Sequence, residues 1–144
     1  MDLINRIIHA ITQVHPIHPM VVHFPIALTG AAAFFILLAL LKNRAFLEQA
    51  AFANIALASV STVAAGLTGL YDNQVNYDGA APNAGIKVIL ASTLFLITTV
   101  TAIARWKNPD LFEKSKVLYV SACFVSFGLA IVLAFLGGVI LYGF

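Results

Sequence analysis

The sequence predicts an all-α integral membrane protein, a four-helix transmembrane bundle preceded by a short amphipathic helix in the membrane interface. Three observations predict it. The chain of 144 residues is 61% hydrophobic and 10% charged, against about 25% charged in an ordinary soluble domain. Its apolar residues fall into four runs, at about residues 20–41, 47–71, 84–105 and 117–141, each reaching the roughly 20 residues that cross a bilayer core. None of these runs alternates with period two, which argues against a membrane β-barrel. Helices then remain as the way to satisfy backbone polar groups in lipid. The length suits a single transmembrane domain over residues 1–144.

Residues 3–14 form the first element. Leu3, Ile4, Ile7, Ile8, Ile11 and Val14 recur at helical spacing, while Asn5, Arg6, His9, Thr12 and Gln13 fill the other face. Such a helix is too short to span and suits the interface, and the restriction on a residue before proline ends it at His15. The apolar core starts only after a histidine- and proline-rich stretch and runs to full spanning length, unlike the short core of a signal peptide, so the first span is expected to be retained. A helix beginning at Pro25 and running to residue 41 would cover only about 25 Å. Beginning at Pro19 it covers about 34 Å and matches the hydrocarbon core. Pro25 then kinks its first turns, His18 stands at the cap and His23 lies one turn inside.

The second span carries small residues at Ala58, Thr62 and Gly66 and at Ser61, Ala65 and Gly69. These four-residue ridges predict close helix contacts, and Gly137-Gly138 predicts the same in span four. The loops predict orientation. Lys42, Arg44, Arg105, Lys107, Lys114 and Lys116 flank the spans on one side, against Arg6 and Lys87 on the other. The positive-inside rule makes the first side cytoplasmic, so both termini, the histidines and the loop at 72–83 face the other way. Tyr71, Tyr77 and Tyr142 on that side, and Trp106 and Tyr119 on the cytoplasmic side, suit interfacial anchoring. A bacterial inner or thylakoid-type membrane is the expected location.

His9, His15, His18 and His23 are the histidines of the chain. Ionisable groups at membrane depth are costly and usually functional, so these residues are the candidate site. The leading candidates are His23 and His18 as ligands of a b-type haem, with His9 and His15 weaker. His18 and His23 are five apart and point about 140° away from each other on one helix, so they do not readily sandwich one haem. A second axial ligand would then come from His9, His15 or a neighbouring subunit, because spans two to four contain no histidine. The alternative is zinc or copper held by His15, His18 and His23 with Asp72 or Asp78. A structural role is the third reading, with a histidine capping a helix or bonding the Val21 carbonyl freed by Pro25. Ala27, Gly30 and Phe34 beside His23 make a partly small-residue stripe. His23 is therefore expected to turn into the bundle and meet a cofactor, a metal or the loop at 72–83.

No span carries a central charged residue, which counts against ion translocation. No nucleophile triad or phosphate loop is present, so the sequence favours no catalytic activity of its own. A net charge of +2 without a basic, aromatic-rich cluster points away from nucleic acid. The lone Cys123 excludes an intramolecular disulfide and reads as a small apolar side chain.

The string from His18 to Leu28, HPMVVHFPIAL, resembles the opening signature of a family of small bacterial four-span membrane proteins known as domain of unknown function 2231. Gly66-Leu67-Thr68-Gly69-Leu70-Tyr71-Asp72 and Phe135-Leu136-Gly137-Gly138 are similar to its later motifs. The resemblance covers nearly the whole chain. It implies four spans and, in some relatives, an association with redox proteins. Relatives often carry further histidines near the start of span three and after span four, where this chain has Asn83 to Lys87 and Tyr142-Gly143-Phe144. The expected function is a small subunit packed in a larger respiratory or photosynthetic electron-transfer complex. The alternative is a haem- or metal-binding redox protein using the histidine cluster. The expected partners are the lipid bilayer and other membrane subunits or further copies of the chain.

Overall fold

A computed structural model describes residues 2–5, 17–42 and 44–142, with side chains described through Val139. Residues 3–5 are helical, and Leu3 and Ile4 are exposed. The rest of the expected interfacial helix, with His9 and His15, lies outside the described residues. The elements that follow are α1 (Ile17–Val21), α2 (His23–Lys42), α3 (Ala45–Tyr77), α4 (Ala84–Lys107), α5 (Leu111–Lys114) and α6 (Lys116–Tyr142). Among the described residues no strand occurs.

Four helical stretches are long and apolar enough to cross a membrane, at Ile17–Lys42, Ala45–Tyr77, Ala84–Lys107 and Lys116–Val139. The first joins α1 to α2 through a turn at Val22. The interruption stands next to Pro25, which lacks the N–H that would bond the Val21 carbonyl. Val22 still donates to the His18 carbonyl at 3.0 Å and Ile26 to that of Val22 at 3.3 Å, so the chain continues along one axis. The span therefore begins at Ile17, two residues before the expected Pro19.

α3 is the longest helix, at 33 residues or about 50 Å, well beyond the hydrocarbon core. It runs through 72–77, where the sequence suggested a loop, and Asp72 is a buried helical residue. The end comes at Asp78 and Gly79, with left-handed φ of 49° and 78°. The N–H groups of both return to the Asn73 carbonyl, as in other helix C-termini closed by a left-handed residue. Asn73 also accepts from the Ala81 N–H at 3.0 Å, which ties down the turn into α4.

The four spans form a ring in which α2 packs on α3, α3 on α4, α4 on α6 and α6 on α2. Short connections between successive spans favour this antiparallel arrangement. Ala32, Ile36, Ala39, Leu47, Ala51, Ile55, Tyr119 and Cys123 make the apolar core near the 42–45 and 108–115 connections. Hydroxyls line the middle: Thr29, Thr98 and Ser126 are fully buried, and Ser59 meets Thr99 across α3 and α4 at 2.6 Å. Thr29, Thr62 and Thr98 donate to carbonyls in their own helices, so these hydroxyls enter the core satisfied.

The small-residue ridges are only partly interior. Ala58, Thr62 and Ala65 are buried, but a Cβ placed on Gly66 or Gly137 would meet nothing within 4 Å. Expected close approaches at those two glycines are therefore replaced by one at Gly30, where a Cβ would lie 3.0 Å from the Phe127 ring of α6.

Candidate functional site

α1 packs on the end of α3, and three α3 residues within about one turn, Thr68, Gly69 and Asp72, receive His18. The His18 backbone N–H donates to Asp72 Oδ2 at 3.1 Å. An N–H in the first turn of a helix has no partner within the helix, so Asp72 caps the first span from its neighbour. The imidazole rests against Gly69, where an added Cβ would come within 2.8 Å of its Cε1. Its Nδ1 is 3.3 Å from Thr68 Oγ1. Thr68 can place its proton on the Ala64 or Ala65 carbonyl, which leaves its oxygen able to accept a hydrogen from His18 Nδ1. Asp72 is 5% exposed, and its Oδ1 is buried with no partner among the described residues.

His23 takes the opposite side. Its ring is exposed, and its Nδ1 lies 2.6 Å from the Pro19 carbonyl oxygen. A carbonyl only accepts, so this nitrogen carries its hydrogen, and in the neutral ring the lone pair then lies on Nε2. Met20 and Phe24 beside it are 58% and 63% exposed, and Ala27 one turn on is exposed as well. This corrects the expectation that His23 turns into the bundle and meets the 72–83 segment. Five residues of helix separate the two histidines by about 140°, and His18 occupies the inward direction. The Ala27 and Phe34 stripe faces out with His23, and the carbonyl it bonds is that of Pro19 rather than Val21.

The structure thus places His18 beside Asp72 and sets His23 apart from both, while His15 lies outside the described residues. Asp78 is an exposed cap residue. Among the described residues no group of three or more His, Cys, Asp or Glu side chains could hold a metal ion. What the arrangement offers is one outward imidazole with a fixed ring. Metal-binding histidines commonly donate their second ring nitrogen to a carbonyl or carboxylate in this way.

At the far end of the bundle, a polar pair that the sequence reading passed over joins α3 to α4. Arg105 Nε and Nη2 bond Glu48 Oε1 and Oε2 at 2.6 and 2.7 Å, and both side chains are largely buried. The Arg105 guanidinium also stands 5.4 Å over the Phe52 ring. Arg105 was counted only as a loop charge and Glu48 went unremarked, and 57 positions of sequence gave no sign that they face each other.

Four apolar helices in a closed ring, with the ionisable side chains at the span ends, define a small integral membrane protein. Residues 14–144 match the model of the family described as "Predicted membrane protein (DUF2231)", and the chain belongs to that family. Neither the curated proteins nor the solved structures provide a match.

Proposed function

We propose that this chain is a membrane subunit of a respiratory or photosynthetic electron-transfer complex that supplies one axial ligand, His23, to a b-type haem at its boundary with a neighbouring subunit. The observation that carries the reading is the exposed His23 ring held at Nδ1 by the Pro19 carbonyl. Neutral imidazole with a free Nε2 is the form that binds haem iron. The donor set fits a shared haem better than a haem enclosed by this chain. Spans two to four bring no second histidine, and the outward face of Met20, Phe24 and Ala27 is apolar and exposed. His18 serves the other purpose in this reading: it fixes the start of the first span on α3, and so the direction in which His23 points. Bound haem would supply one-electron chemistry, and this chain would contribute the ligand and the apolar wall.

The loop charges favour an orientation with His23 on the non-cytoplasmic side. The test is a reduced-minus-oxidised absorption spectrum of the tagged chain isolated with its neighbours in mild detergent. A Soret band that shifts with dithionite is expected. Its absence from a preparation that retains those neighbours would leave the plain accessory-subunit reading, in which the exposed apolar faces serve only for packing.

A further inference from the structure

A second feature lies at the other end of the bundle. Between α4 and α6 runs an outward-facing apolar groove of about 350 Å³, lined by Leu96, Val100, Ala104, Leu118 and Ala122 with Leu111 of α5. From Ala104 to Leu96 it descends about 12 Å along α4, parallel to the direction of lipid chains. Lys107 continues the α4 stripe formed by Val100 and Ala104, one turn beyond the groove. Lys116 stands one turn before Tyr119 on α6, its Nζ 5.2 Å from the Phe112 ring centroid beside Leu111. The other cations nearby are already engaged, Arg105 with Glu48 and Lys114 with Asp110 at 3.2 Å. Among the described residues this leaves Lys107 and Lys116 against the exposed acid Glu113. Trp106, 77% exposed at the same level, suits the headgroup region.

We propose that this groove holds an acyl chain of an anionic phospholipid, with the lipid phosphate received between Lys107 and Lys116. The medium around a spanning helix supplies the chain. Lys107 and Lys116, at this end of the bundle and without a carboxylate partner among the described residues, select the headgroup, as basic pockets between spans do elsewhere. The site is independent of His23 and stands whether or not haem is bound.

Native mass spectrometry of the detergent-solubilised chain, with phosphatidylglycerol or phosphatidylcholine of identical acyl chains, tests it. Phosphatidylglycerol is expected to bind on the order of tenfold more tightly. The double variant K107Q/K116Q, altered only at exposed positions, should lose that preference. Ala122→Phe, which fills the groove, should weaken both lipids. Equal affinity for the two lipids overturns the headgroup assignment, as does a preference that survives in K107Q/K116Q. A folded Ala122→Phe protein that binds both lipids as before overturns the groove. If that variant does not fold, the lysine variant alone decides.

Discussion

At Gly69 the imidazole of His18 lies where a side chain would begin, and this single contact separates two glycines that look alike in the sequence. A methyl group there would come within 2.8 Å of the ring, whereas one at Gly66 meets open space. Gly69→Ala should therefore cost about 1–3 kcal/mol through overpacking. Gly66→Ala should be neutral or stabilise by up to about 1 kcal/mol, because glycine is a poor helix former. Thermal unfolding in detergent measures both, and equal effects would show that His18 does not rest on α3. The histidine segment stood out in the sequence, because ionisable side chains are rare in so apolar a chain. Which histidine turns inward was not. Spacing gave the angle between His18 and His23, but the choice depends on Thr68, Gly69 and Asp72, some fifty residues away along the chain.

The same contrast holds for whole elements. The four runs were visible because lipid requires a long uninterrupted apolar helix. The extension of α3 through Asp72 to Tyr77 was not, because polar residues 72–77 look like a loop until Asp72 is seen capping the neighbouring helix. The pairing of α3 with α4 has its polar anchor in Glu48 and Arg105. Removing one member of a buried pair leaves an uncompensated charge and costs about 3–5 kcal/mol, while replacing both with apolar residues of similar volume is often nearly neutral. Arg105→Met should thus be far more damaging than the double change with Glu48→Met. Additive losses in a double-mutant cycle would mean that the two groups do not depend on each other.

For the molecule as a whole, the two ends of the bundle differ in kind. One end carries the buried Glu48–Arg105 pair, Lys107, Lys114, Lys116 and the apolar groove, and the other carries His18, His23, Asp72 and Lys87. The basic end is expected in the cytoplasm, so an alkaline phosphatase reporter fused after Phe144 should be active and a cytoplasmic reporter at the same place silent. The reverse pattern would invert the topology. The central claim is narrower: of the two described histidines, the outward one is the ligand and the inward one holds the span in place. It is tested most directly by comparing reduced-minus-oxidised spectra of His23→Ala and His18→Ala variants isolated with their neighbours. Loss of the haem bands in His23→Ala, with the bands retained in His18→Ala at lowered thermal stability, is the predicted result. Bands unchanged in His23→Ala, or lost only in His18→Ala, would contradict it.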